Sequence, residues 1–291
     1  MPKKPRRGRG LFASAHAALH RKGVVTAVYL SLRLLVIVTL LSQFFRGNFE
    51  NVFFCVLSLV LFLMPTILER KLQIDLPNVL EIIILLFIFS AWILGEVQTY
   101  YTIFPYWDTM LHTLNGFLCA AIGFSLVDLL NRHKRVSLSL SPAYMAIVAF
   151  CFSMTVGVLW EFFECGMDLI FHQDMQKDTI IRSISSVLLD PTGSQRAQAI
   201  HGITDVIVVT EGEEISLGLG GYLDIGLLDT MEDLLVNFIG AFVFSIVGYF
   251  YVKNRGKGWF ARSFIPYVLS KEESAQLMSE ELTANSDSPE E

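Results

Sequence analysis

Three short stretches hold residues whose types and spacing are suited to chemistry. Asp108 and His112 are four apart, and Glu161 and Glu164 are three apart with Asp168 one turn beyond. Asp229, Asp233 and Asn237 follow at intervals of four. On helices these spacings put each set on a single face. Five carboxylates (Asp108, Glu161, Glu164, Asp229, Asp233) gathered about one imidazole in a low dielectric cannot all stay ionised without a cation or bound protons. A divalent metal ion resolves the conflict, and these five are the expected ligands. Oxygen donors favour Mg²⁺, Mn²⁺ or Ca²⁺, while His112 keeps Zn²⁺ open. In an enzyme reading the catalytic set is His112, Glu161, Glu164, Asp233 and Asn237, with His112 moving protons and Asn237 orienting a ligand or carboxylate. The spacing is neither HExxH nor the paired ExxH of di-iron bundles, so it names no metal. A plainer reading makes Asp108 and Asp229 first-turn carboxylates favoured by the helix dipole, with Glu161 and Glu164 at the water line. His112, Asp233 and Asn237 resist it, because each sits at least a turn inside an apolar span.

The elements that position these residues are membrane helices. With 53% hydrophobic residues and 23 Phe, and a mean hydropathy of +0.52, the chain suits lipid rather than water, where helices satisfy their own backbone. The sequence predicts an all-α polytopic protein with six transmembrane helices, near Val24–Phe45, Val52–Leu68, Val79–Leu94, Asp108–Leu130, Ala143–Cys165 and Met231–Val252. The fifth continues toward Phe171, and Ser141 followed by Pro142 reads as its N-cap and first helical position. The turn ERKLQIDLPN joins the second and third spans, and Tyr100, Tyr101, Phe104, Tyr106 and Trp107 form an aromatic belt before the fourth. Cys55, Cys119, Cys151 and Cys165 lie in apolar runs without CxxC spacing and read as small buried residues. Gly116, Gly157 and Gly240 lie about a turn deeper than the polar residues and permit close helix approach.

The expected organisation is a basic cytoplasmic N-terminus (1–23), helices one to five (24–171), an extracytoplasmic insertion (172–228), helix six (229–252) and a cytoplasmic tail (253–291). Residues 1–22 hold seven Lys or Arg beside LFASAHAALH, which fits an interfacial helix. The long apolar run that follows is a retained span rather than a cleaved signal. Arg33, within it, snorkels or pairs with a carboxylate such as Glu81. With both termini inside, cytoplasmic segments collect 17 Lys or Arg and the outer ones four: Arg46, Lys177, Arg182 and Arg196. That is the positive-inside pattern at every loop, and it sets all three polar stretches near the outer leaflet. These basic residues flank the membrane, so no nucleic-acid partner is expected. Within the insertion, Ile180, Ile181, Ile184, Val187 and Leu188 predict an amphipathic helix, while Asp205–Thr210 and Ile215–Leu219 around EGEE predict a hairpin. The tail opens on a capping-box pattern at Ser270 and Glu273.

YWDTMLHTLNGF, VLWEFFECGMD and DIGLLDTMEDLLVNFIGA together resemble the YjdF-like bacterial inner-membrane proteins. The shared pattern is D-x-x-x-H, then W-E-x-x-E, then D-x-x-x-D-x-x-x-N-x-x-G. It falls on Asp108, His112, Trp160, Glu161, Glu164, Asp229, Asp233, Asn237 and Gly240. More distantly the chain is similar to VanZ-like proteins, with Thr109–Met110 where their pattern carries lysine. The resemblance implies a multi-pass protein of the bacterial cell membrane. Three functions fit the residues. One is an enzyme with a divalent metal acting on a lipid-linked or cell-envelope substrate. Another is a proton- or cation-coupled transporter, and the last is an envelope binding or scaffold protein. The inner halves of the last three spans hold few ionisable groups, Asp128 lying near their far end, which tells against a transport relay.

Overall fold

The computed structural model describes residues 9–72, 74–132, 140–254, 263–265 and 267–268. Among them, six helices are long and apolar enough to cross a membrane: Gly23–Phe45, Phe49–Glu69, Asn78–Val97, Trp107–Asp128, Pro142–Phe171 and Leu227–Lys253. Their outward side chains include Leu34, Leu159, Phe162 and Leu235, each about 60% exposed or more. Such an apolar girdle is stable in lipid and not in water.

Helix α1 (Arg9–Phe45) is continuous, so the expected separate interfacial helix merges with the first span. α2 (Phe49–Leu61) begins at Asn48, whose side chain accepts from the Asn51 N–H at 3.3 Å. After a break at Phe62–Leu63 the chain resumes as α3 (Met64–Leu72), so the first residues of ERKLQIDLPN are helical rather than a turn. α4 (Asn78–Phe89) continues into a π-helical stretch, Ser90–Val97. A short α5 (Tyr100–Ile103) then leads into α6 (Trp107–Arg132). α7 (Pro142–Phe171) starts as the sequence suggests, with the Ser141 hydroxyl accepting from the Tyr144 N–H at 3.2 Å and Pro142 at the first position. α8 (Leu227–Lys253) starts two residues before the expected domain boundary. Arg33 lays its guanidinium over the Tyr29 ring, 5.1 Å from the centroid.

The helices form two packed groups. Leu32, Val36, Cys55, Phe62, Leu85 and Ile88 knit α1, α2 and α4 together. Leu118, Ala121, Phe124, Met145, Ala149 and Phe244 knit α6, α7 and α8. In lipid, burying apolar surface gains little, so van der Waals fit between small residues drives association. At Gly116 a Cβ would overlap the Asn237 carbonyl, and at Gly240 it would overlap the Thr113 carbonyl. α6 and α8 therefore touch backbone to backbone, and any side chain at either glycine forces them apart. Trp92 meets Trp160 edge to face at 6.0 Å, joining the two groups on the site's side.

The segment between α7 and α8 differs from the sequence expectation. Residues 179–189 are not an amphipathic helix: they form strands β2 (Thr179–Ile181) and β3 (Ser183–Ser186) and a 3₁₀ turn, Val187–Leu189. β2 pairs with β7 (Tyr222–Asp224) and β3 with β4 (Gln198–His201), both antiparallel. A short run of Ile and Ser fits either period, and pairing with distant strands decides the matter. β5 (Ile207–Thr210) and β6 (Glu213–Ser216) make a hairpin across Glu211–Gly212. The Asp205 carboxylate accepts from the backbone N–H groups of Val206 and Gly218 and from the Ser216 hydroxyl, which holds it below the usual carboxylate range. At the other end of the molecule β1 (Ile74–Asp75) pairs with β8 (Tyr267–Val268), and Phe264 and Ile265 bury themselves in the α6–α8 core. The capping-box pattern at Ser270 and Glu273 lies outside the described residues.

Candidate metal centre

α6, α7 and α8 bring the polar stretches together. His112 from α6, Glu161 and Glu164 from α7 and Asp233 from α8 are all buried, and one ligand atom from each lies within 4.8 Å of the others. Asp108 and Asp229, half-buried one turn toward the helix ends, form a second such group with Asp233. The two imidazole nitrogens face different partners. Nδ1 lies 3.7 Å from Glu161 Oε1, and Nε2 lies 3.5 Å from Asp108 Oδ1 and 3.8 Å from Asp233 Oδ2.

Glu161 and Asp233 stand out. Among the described residues, both Glu161 oxygens and Asp233 Oδ2 are buried with no hydrogen-bond partner. The Thr230 hydroxyl approaches Glu161 without completing a hydrogen bond by distance and angle. A buried carboxylate without donors costs several kcal/mol, so this arrangement asks for a cation or a proton. A divalent ion fits the donor set, because ligands on opposite sides of such an ion are about 4.2 Å apart at bonds of about 2.1 Å. The groups need close only slightly to hold it.

The surroundings fix these side chains. Trp160 Nε1 donates to Glu164 Oε1 at 2.8 Å, holding that carboxylate from one turn away. Asn237 sits deeper and is taken up by packing: Asn115 Nδ2 donates to its Oδ1 at 3.3 Å, and its own Nδ2 meets Met154 Sδ at 3.6 Å. The Gly157 backbone lies against the same amide. Asn237 thus joins three helices beneath the polar cluster. Asp168 also stands apart, its carboxylate accepting from the backbone N–H groups of Met175 and Gln176 at 2.7 and 2.8 Å.

A strap crosses the open end. Residues 172–178 are tied down by Asp168 and by Asp229 Oδ2, which accepts from the Lys177 N–H at 2.8 Å. The Gln176 side-chain amide also donates to Thr230 Oγ1. On the other side the Tyr101 ring rests on the Gly95 backbone in the π-helical stretch, where a Cβ would strike it. Thr99, just before it, takes φ +58°, an uncommon conformation for a β-branched residue. Burial pushes the Tyr101 phenol well above its ordinary pKa, reinforced by Asp108, Glu96, Glu164 and Asp233. In the sequence Tyr101 stands only as part of an aromatic belt, and no local pattern singles out Asn115, three positions from His112 on the same helix.

Helical spans around a buried His–carboxylate cluster define a polytopic membrane protein with a candidate metal centre. Residues 27–254 match the family described as "Predicted membrane protein (DUF2238)", and the chain belongs to that family. Neither the curated proteins nor the solved structures gave a match.

Proposed function

We propose that the protein is a membrane-embedded metalloprotein. It would hold a divalent ion between Glu161, Glu164 and Asp233, with His112 beside it, and act in hydrolysis or group transfer on a lipid-linked or cell-envelope substrate. The observation that carries the reading is the set of orphaned, buried oxygens on Glu161 and Asp233 turned toward His112. A divalent ion bound there supplies Lewis acidity and a nucleophilic water near neutral pH. His112, itself buried and hydrogen-bonded to no fixed donor or acceptor among the described residues, is the group to take and return a proton. Trp160, Asn115 and Asn237 keep the ligands in place.

The distribution of basic residues supports a bacterial inner-membrane location with both termini cytoplasmic. The centre and the strands of residues 172–228 then lie at the outer face, where envelope substrates are. Against a cation conduit, Ala120, Ala121, Phe124 and Phe244 are fully buried and fill the bundle below Asn237. A static site is favoured over a relay.

The test is the divalent metal content of purified full-length protein beside a Glu164→Gln variant, each chelated and reloaded. Bound metal in the wild type and its loss in the variant support the reading. A wild type that takes up neither Mn²⁺ nor Zn²⁺ would overturn it.

A further inference from the structure

We propose that Asp108, Asp229 and Asp233 form a second divalent-cation site that shares the Asp233 carboxylate with the first, making the centre dinuclear. The inference rests on the proposed function and extends it. Three observations lead to it. Ligand atoms of the three aspartates lie within 4.8 Å of one another, and Asp233 belongs to both groups. Asp233 is 2% exposed, and its Oδ2, near the His112 Nε2 that also faces Asp108, has no hydrogen-bond partner among the described residues. The third is charge. Five carboxylates share this volume, so one divalent ion leaves three negative charges uncompensated in a largely buried site, and two leave only one.

The two halves differ in a way that suits division of labour. The first group is buried and contains the imidazole, whereas Asp108 and Asp229 are half-buried and open toward the helix ends. An all-carboxylate set with solvent access selects a hard ion such as Mg²⁺ or Mn²⁺ that keeps water ligands. Hydrolytic two-metal sites hold their ions about 3.5–4 Å apart, bridged by a shared carboxylate, and clamp both the attacking and the leaving oxygen of a phosphoryl group. The substrate class that fits is therefore a phosphate ester or diphosphate presented at the membrane surface. Lys177, whose backbone N–H donates to Asp229, turns its ammonium to Asp174, 3.8 Å from that carboxylate.

The experiment is Mn²⁺ titration of chelated full-length protein, read by bound metal per chain and by electron paramagnetic resonance. Wild type should bind about two equivalents and show an exchange-coupled spectrum. Asp229→Asn, whose amide oxygen still accepts from the Lys177 N–H, should bind one and give an isolated six-line signal. Asp108→Asn should do the same, so a folding defect in one variant does not decide the outcome. Saturation of the wild type at one equivalent, or two equivalents retained in both variants, overturns the second site and leaves the first standing. No binding at all overturns both.

Discussion

Glu161→Gln separates a metal-filled centre from one whose carboxylates repel uncompensated by the sign of a stability change. Glu161 is 4% exposed, both its oxygens lack partners, and it lies within 4.8 Å of Glu164 and Asp233 at the ligand atoms. Without a cation, two ionised carboxylates at 4.8 Å repel by about 3.5 kcal/mol at an effective dielectric of about 20. Gln keeps the shape and removes that repulsion, so the variant should then be more stable. With a bound ion the substitution removes a ligand, and the variant forfeits the stabilisation that binding gives the wild type, about 2.7 kcal/mol at a hundredfold excess of metal over its dissociation constant. At roughly 2–4 °C per kcal/mol for a chain of this order, the midpoint falls by about 5–10 °C. The assay is thermal unfolding of purified protein in detergent, followed by tryptophan fluorescence with and without chelator. We expect chelator to lower the wild-type midpoint and to leave Glu161→Gln, already low, unchanged. An indifferent wild type together with a raised Glu161→Gln midpoint would refute the metal reading.

Three further outcomes are expected. Gly240→Ala pushes α8 off the Thr113 carbonyl and should cost about 1–3 kcal/mol by overpacking; Gly166→Ala, with open space around it, is the control, and equal melts would disprove the close contact. Reporter fusions after Arg132 and after Lys253 should read as cytoplasmic and one at Gly193 as external, an external signal after Lys253 overturning the topology. The third concerns pH. Asp205 has a folded pKa below its unfolded value, so its contribution is present above the ordinary carboxylate pKa and is lost as pH falls through the depressed one. Amide protection at Val206 and Gly218 should therefore survive at neutral pH and weaken only below about pH 4, and Asp205→Asn should remove that pH dependence; protection unchanged down to pH 2 would contradict it.

The spans were legible because a membrane helix is long, apolar and internally hydrogen-bonded, so length and composition nearly suffice. The polar stripes were legible for the same reason, since an i, i+4 spacing on a helix fixes a common face whatever the partner. What the spacing could not give was the partner. Asp229, Asp233 and Asn237 share a stripe, yet the last of them bonds Asn115 and Met154 and faces packing, because depth along the helix decides which neighbour it meets. The strands at 179–186 were misread for a related reason. Their pairing partners lie at 198–201 and 222–224, and nothing within the short Ile–Ser run announces them. The π-helical end of the third span and the Tyr101 ring against Gly95 likewise belong to tertiary fit, which no local period encodes.

The pairing of Ile74–Asp75 with Tyr267–Val268 has a consequence for how the protein is made. About 190 residues separate the two strands, and Phe264 and Ile265, beside the second, are buried in the α6–α8 core. At synthesis rates of about 5–20 residues per second, the ribosome delivers the second strand on the order of 10–40 s after the first. Through that interval the strand before the third span lacks its partner, and Phe117 awaits the Phe264 ring that meets it edge to face at 5.1 Å. A stop codon just past α8 would then leave all six spans in place yet the α6–α8 core without Phe264 and Ile265.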